Sequence, residues 1–427
     1  MVTSSVSAQV GVIGAGPAGL VTAAVLAQAG IDVCVVEQRR REHVERRPRA
    51  GLLEHRVVEY LHACGLADRL LAEAIRHGRC EFACQGERVN VEYGALSGGF
   101  GHWVYPQQFL VRDLIATLER LGAGPRFQRR ATAVLDPAGP RPVIECEGLR
   151  VACDFVVACD GPYGVAARPP GARAARQAAY RYPYDWLTVL AEVARPVEAV
   201  VYAIHPGGFA GMMPRAGHQA RLYLQIPAGQ PPRVWTGARI REQLAVRMGE
   251  AAPGLPAVGT VRETGVLRMR GSVARTVRYG RTLLAGDAAH LLTPSGAKGM
   301  NLAVSDAADA AASLISWYRD GDPAGVDGYG ARRLAEAWSV QDFSDRLLHL
   351  LHLPEGGRDE RFLLDLKLRR VQDLARPTPG AVAFAHQYGG SGRHPDAAPP
   401  LPLPSGLAPA RPLPRPRPAG LARTGRA

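Results

Sequence analysis

The sequence predicts an α/β fold in two lobes: a GxGxxG-type nucleotide-binding lobe assembled from discontinuous segments, and a mixed-β lobe between them. Three observations carry this. Residues 9 to 37 read as strand, glycine turn, helix, strand, with the run VGVI, the helix AGLVTAAVLAQAG and the strand DVCVVE, as expected of a βαβ unit on a parallel sheet. Between Tyr180 and Val266 the pattern changes to the strand-like stretches WLTVLAEV, AVVYAIH and ARLYLQIP, broken by proline and glycine. The strand TLLAGDAAH at 282 to 290 then leads into a long helix, Gly299 to Arg319, which returns the chain to the first lobe.

The remaining elements fall between these. Residues 51 to 75 look helical, Gln107 to Gly122 form an amphipathic helix, and alternation from Val143 to Ala158 suggests a hairpin followed by a core strand. Helical segments run on to about Ala375. The nucleotide-binding lobe is expected from residues 9–74, 106–179 and 273–390, the last with C-terminal helices, and the second lobe from 75–105 and 180–272. Residues 391–427 are a Pro/Arg-rich tail: from His394 onward they hold ten of the 34 prolines, with Arg411, Arg415, Arg417, Arg423 and Arg426. Such a composition predicts a disordered or polyproline-like appendage.

The 427 residues suit two cores, and 47% hydrophobic with 21% charged residues is a globular composition. No apolar run reaches the roughly 18 residues that span a bilayer, and residues 1 to 9 lack a basic flank and an apolar stretch. The expectation is a cytoplasmic protein with no membrane contact. Seven cysteines, with no C-x-x-C pair, argue against a disulfide framework and a zinc site. The net charge of +13 would suit nucleic acid, but only Lys298 and Lys367 are lysines and the arginines are scattered. Anionic cofactors and an anionic substrate account for it better.

The turn at Gly14, Gly16 and Gly19 reproduces G-x-G-x-x-G between strand and helix, where glycines let the backbone approach a pyrophosphate at a helix N-terminus. Glu37, 18 residues beyond Gly19, is placed to accept from a ribose hydroxyl and to repel a 2′-phosphate. That favours FAD or NAD. In RTLLAGDAAHLLTPSGAKGMN, Gly286 and Asp287 follow a strand, and a glycine-rich turn opens a helix. An aspartate there can accept from a ribityl hydroxyl, and the helix N-terminus can face the flavin edge that becomes negative on reduction. The pair selects FAD.

Together with CDGPYG at 159 to 164, these motifs resemble the FAD-dependent aromatic hydroxylases of the glutathione-reductase type. Within that family the chain is similar to the hydroxylases of 4-hydroxybenzoate from about residue 9 to 390, through RAGLLEH, YPYDWL, YAIHPGGFA, ARLYLQIP and PSGAKGMNLA. The resemblance implies an FAD-binding lobe and a mixed-β substrate lobe, noncovalent FAD, NADPH or NADH and O2 as co-substrates, a small aromatic acid as substrate, and a homodimer. The implied reaction adds oxygen ortho to the phenol. Arg215 and Tyr223 would hold the carboxylate, a task suited to a guanidinium fork and a neutral donor. Tyr202, Tyr388 and His77 would relay a proton from the phenol, because the oxidant formed on the flavin is electrophilic and needs an electron-rich ring. Pro294, Ser295 and Ala297 would contact the ring from the flavin side, with Pro294 counted among the catalytic group. Arg49, Gln107, Gly296, Gly299, Met300 and Asn301 match flavin-binding positions, with Arg49 near the pyrophosphate. Arg47 and Arg270 are candidates for NAD(P)H.

Departures from the family mark what stays open. Met213 stands where a serine would donate to the substrate carboxylate, and Gly211 where a bulky leucine would sit. The expected pocket has lost a hydrogen bond worth about 1.5 to 3 kcal/mol and gained space. Gln38 and His43 replace an arginine and a tyrosine near the nicotinamide dinucleotide, although Arg39 to Arg41 add charge. Three other readings remain: the same chemistry on another ring such as an amino-hydroxybenzoate, a flavin reductase or oxidase that never hydroxylates, and a non-catalytic binding protein.

Overall fold

The computed structural model describes residues 4–47, 51–166, 177–215, 217–251, 254–353, 359–390, 401–404 and 413. Arg49 lies outside them, as does most of the tail.

The first lobe grows from the strand Ser4–Ile13, whose C-terminal half is buried on both faces. It pairs in parallel with Val33–Val36 on one side and Leu149–Ala158 on the other, and Thr282–Leu284 extends the sheet in parallel. Strands covered on both faces need continuous Val and Ile rather than alternation, as VGVI and VCVV supply. The helix Pro17–Gln28 connects the first two strands. It is apolar nearly all round because it packs between Gln107–Arg120 and Lys298–Asp320. Val143–Cys146 and Leu149–Ala158 form the expected hairpin, and its second arm is itself the core strand.

The second lobe is a seven-stranded sheet in the order Val258–Leu267, Tyr184–Val193, Gln219–Pro227, Ala210–Pro214, Val200–Ile204, Cys80–Cys84, Glu87–Val91. The pairing of Val200–Ile204 with Cys80–Cys84 is parallel and the others are antiparallel, so the sheet is mixed. One face carries Leu187, Val189, Leu222 and Leu224 against Ile240, Leu244 and Met248 of the helix Gly237–Ala251. The opposite face carries aromatic residues and meets the helices Ala324–Leu351, Glu360–Leu374 and Pro379–Gly389.

Four elements differ from expectation. The helix Gly237–Ala251 sits inside the region read as strands, and Pro379–Gly389 continues the helices beyond Ala375. Residues 51 to 75 divide into Leu52–Leu53, His55–Ala63 and Asp68–Glu73, because Gly65 takes a left-handed φ of 66° just past the second of these. The strand at 282 stops at Leu284, and Gly286, with φ 62°, bends the chain into a single 3₁₀ turn. In the tail, Leu401 and Leu413 are buried against the first core, so these two positions do not belong to a solvated appendage.

A buried ion chain ties the helices together. Lys298 Nζ donates to Glu54 at 2.6 Å, Arg56 bridges Glu54 and Glu336 at 2.8 Å each, and Arg333 joins Glu336 and Asp306 at 2.5 and 2.7 Å. Burial pushes the Glu54 carboxyl up, but Lys298 and Arg56 outweigh it and hold the group near 2. Glu336 is likewise opposed by burial and held near 2 by Arg56 and Arg333. Depressed carboxyls contribute stability that is complete above their unfolded value and is lost as pH falls through the folded one. Stability measured by urea unfolding is therefore expected to be flat above about pH 4.5 and to decline towards pH 2. Glu54→Gln leaves Lys298 uncompensated and should remove about 3–5 kcal/mol at neutral pH, with a flatter acid limb.

Candidate functional site

The glycine turn has the shape of a cradle for a pyrophosphate. Gly14 has φ 101°, and a Cβ there would lie 2.5 Å from the carbonyl oxygen of Cys159, so the turn and the neighbouring strand end both require glycine. A Cβ on Gly19 would lie 2.0 Å from the Gly14 carbonyl, which fixes how closely helix and turn pack. Gly16 differs, since a Cβ there would meet nothing within 4 Å. It caps Pro17–Gln28 without a side-chain bond, leaving the first helical N–H groups directed at open space. Glu37 is pinned at the next strand's end by the N–H groups of Ala15 and Arg39, each at 2.8 Å. A carboxylate so held still has acceptor capacity for a ribose hydroxyl.

A second open N-terminus faces the other end. The turn Pro294–Gly296 ends at Ala297, left-handed at φ 54°, which caps the 23-residue helix Lys298–Asp320 with no side-chain bond. A Cβ on Gly299 would meet nothing within 4 Å, so the start of this helix borders open space. Gly296 is packed instead, 3.1 Å from the Phe343 ring for a hypothetical Cβ. Asp287 is half-buried on the Gly286–Ala288 turn and has no hydrogen-bond or ion-pair partner among the described residues. Gln107, also half-buried and unpartnered among them, opens the helix Gln107–Arg120. Two cradles and two free polar side chains fit an FAD. The Asn301 side chain accepts from the Glu54 N–H and donates to the carbonyls of Leu52 and Ala297, and so helps to position the helix start.

The residues expected to meet the substrate form a row across the second sheet. Phe82, Tyr202, Gly211, Tyr223 and Thr188 pair in register on successive strands, and alternate residues share their face. Met213 is two positions along from Gly211, and Arg215 follows at the strand's end. Arg215 is half-buried, donates one bond to the Pro214 carbonyl at 3.1 Å, and has no counter-ion among the described residues. Burial pulls its guanidinium down, with Tyr223 beside it pulling the other way. The space expected at Gly211 is filled: a Cβ there would lie 2.9 Å from the Phe209 ring. The missing leucine is replaced by a neighbouring aromatic rather than by a void.

Tyr202 and Tyr388 are buried and their hydroxyls lie 2.7 Å apart. The Tyr202 hydroxyl also lies 3.4 Å from the Ser295 carbonyl, and the Ser295 hydroxyl donates to the Ser344 carbonyl. Burial first of all pushes both phenols up, so both stay neutral at physiological pH. Pro294 is exposed at the head of its turn. His77, half-buried, makes no ring hydrogen bond to a described residue, while its carbonyl accepts from Tyr93 at 2.7 Å. The structure thus joins the two tyrosines directly and leaves the His77 ring apart from them. Arg47 is exposed after the helix Arg41–Arg46, and Arg270 lies over the exposed ring of Tyr163 at 5.2 Å. Sequence reasoning missed His102, wholly buried with its ring 4.9 Å from that of Tyr388. Nothing in the run GHWVY signals it; only the pairing of two short strands brings it there.

Comparison with known proteins agrees with this geometry. The FAD binding domain family matches residues 7–344. The chain is 31% identical over 385 residues to the p-hydroxybenzoate hydroxylase of Acinetobacter baylyi, covering 90% of this chain and 95% of that protein. It is 29% identical to the 3-amino-4-hydroxybenzoate 2-monooxygenase of Streptomyces cremeus, covering 93% and 98%. Its fold matches the crystal structure of p-nitrophenol 4-monooxygenase from Pseudomonas putida with a TM-score of 0.73 at 19% identity, covering 90% and 97% of the chains. With a family match over residues 7–344 and a relative 31% identical over 90% of the sequence, the chain belongs to the FAD-dependent aromatic hydroxylase family of monooxygenases.

Proposed function

We propose that the protein hydroxylates 4-hydroxybenzoate, or a close analogue, ortho to the phenol, with NADPH or NADH and O2 as co-substrates. The observation that carries this reading is the disposition of one row: a half-buried Arg215, without a counter-ion among the described residues, beside Tyr223 at one end, and the bonded phenols of Tyr202 and Tyr388 at the other. Tyr202 and Tyr223 are two strands apart, about 10 Å. A ring with a carboxylate and a phenol in para positions bridges such a site.

Arg215 and Tyr223 hold the carboxylate and so orient the ring. Tyr202 takes the phenol proton and passes its own to Tyr388, so the ring becomes an electron-rich phenolate. FAD, when bound, would supply the activated oxygen for that ring. Gly14, Gly16, Gly19, Glu37, Asp287 and the helix start at Gly299 and Met300 hold the FAD, with Arg49 and Gln107. Arg47 and Arg270 are candidates for the nicotinamide dinucleotide, and a cytoplasmic homodimer goes with this reading.

Met213 supports a second reading, the same chemistry on an amino-hydroxybenzoate, because it removes a donor from the carboxylate end. The likeness to the Streptomyces cremeus enzyme along nearly its full length supports such a substrate, although that enzyme's name puts the new oxygen at C2, ortho to the amino group and not to the phenol.

Turnover separates the readings. FAD-loaded protein given O2, either nicotinamide dinucleotide, and 4-hydroxybenzoate or 3-amino-4-hydroxybenzoate should yield hydroxylated product in excess of hydrogen peroxide. Complete uncoupling on every phenolic acid would falsify the hydroxylase reading, and product from the amino acid alone selects the second. Arg215→Ala should weaken benzoate binding about tenfold to a hundredfold by flavin difference titration. Met213→Ser should tighten 4-hydroxybenzoate about tenfold in the same titration by restoring a donor to a charged group. Gly14→Ala should purify with little flavin, read as the ratio of flavin to protein absorbance.

A further inference from the structure

The Tyr223 hydroxyl makes no hydrogen bond to a described residue, so packing of its ring sets where it stands. That ring rests on Trp186, 5.4 Å away at 51°. Trp186 sits on the strand Tyr184–Val193 two residues before Thr188, the residue paired with Tyr223, and so shares its face of the sheet. Phe209 backs Trp186 at 4.6 Å and 27°.

One side chain from outside the sheet ties Trp186 down. His352 caps the C-terminus of the helix Ala324–Leu351 and is buried. Its Nδ1 lies 2.9 Å from the Leu348 carbonyl, which can only accept, so Nδ1 carries the proton. Nε2 is then a lone pair, and it accepts the Trp186 indole N–H at 2.9 Å. Trp186 is 1% exposed, so water has no access to take the place of that acceptor. The His352 ring lies flat on Tyr184, 4.0 Å away at 6°, with Phe209 at 5.2 Å. Both ring nitrogens are satisfied in a single tautomer.

We propose that His352 is a positioning residue for the substrate site. By accepting the Trp186 N–H and stacking on Tyr184 it fixes the Trp186 ring, and through that ring the Tyr223 hydroxyl, a role that rests on the reading of Arg215 and Tyr223 as the carboxylate end. It acts only through other side chains. Stacking alone lets an indole slide or turn in its own plane, whereas a hydrogen bond at its edge stops both motions. The Trp186 ring is therefore set by a residue on the helix layer, and it hands that setting to the sheet.

The charge state suits this role. Burial above all, with Lys367 and His349, outweighs the Leu348 carbonyl and holds the imidazolium near 3. An imidazolium would turn Nε2 into a second donor facing the indole N–H, so the neutral ring is the form that holds Trp186. His352 keeps that form at physiological pH.

The test is flavin difference titration of FAD-loaded protein with 4-hydroxybenzoate in wild type, His352→Gln and His352→Phe, the last also combined with Tyr223→Phe. Phenylalanine keeps a flat ring for Tyr184 but offers nothing to the indole N–H, whereas glutamine carries an oxygen that can accept it. His352→Phe should weaken 4-hydroxybenzoate about tenfold, and His352→Gln should stay within about threefold of wild type. In a Tyr223→Phe background His352→Phe should add no further loss, whereas a general loss of packing would persist there. If His352→Phe alone does not fold, the pair His352→Phe with Trp186→Phe removes donor and acceptor together and should show the same weakening of about tenfold. Wild-type affinity in His352→Phe or in the pair, or an undiminished loss in the Tyr223→Phe background, overturns the role of His352. Wild-type affinity in Tyr223→Phe alone overturns instead the carboxylate reading on which that role rests.

Discussion

Much of this architecture hangs on one buried ammonium. Lys298 Nζ donates to Glu54 and to the main-chain carbonyls of Gln387 and Tyr388. It thereby fixes three parts of the chain that are far apart in sequence: the start of the long helix, the segment after Leu52–Leu53, and the C-terminal helix that carries Tyr388. A lysine this deep is held against desolvation by its carboxylate, the two carbonyls and the face of the Phe343 ring at 5.2 Å. The geometry of the Tyr202–Tyr388 pair therefore depends on an interaction made entirely outside the substrate row.

That dependence explains what the sequence could and could not disclose. The βαβ unit was legible because its information is local: an apolar run, three glycines and an acid at a fixed interval. The mixed sheet was legible as a change of period. The helix Gly237–Ala251 was not, because short strand-like runs on either side carry the same apolar residues at another period. The split after Ala63 turns on one left-handed glycine. His102 was hidden for a stronger reason. Its neighbours Tyr93, Tyr388 and His77 come from three other elements, and no spacing in the chain encodes that meeting.

The substrate end was only half legible. Resemblance drew attention to Met213 and Gly211 as losses, one of a donor and one of bulk. The second is compensated by Phe209, whose ring closes over Gly211 from two residues away on the chain. A small residue in a core row leaves a void only if nothing nearby can turn into it. The change at Met213 has no such compensation, since no repacking of apolar groups creates a donor.

The charges of the site impose an order on its chemistry. Arg215 is a half-buried cation without a counter-ion among the described residues, while Tyr202 and Tyr388 are neutral phenols held so by burial. On the proposed function, a benzoate would supply the missing negative charge, so that carboxylate binding precedes any proton movement. Ionising its phenol would then add a second negative charge near the Pro294–Gly296 turn, where the Lys298–Asp320 helix presents its positive end through Ala297. A ring lacking the carboxylate would leave Arg215 without that partner and would lose the binding energy that holds its phenol against Tyr202. Under that proposal the acid at the far end of the ring is a condition for activating the near end.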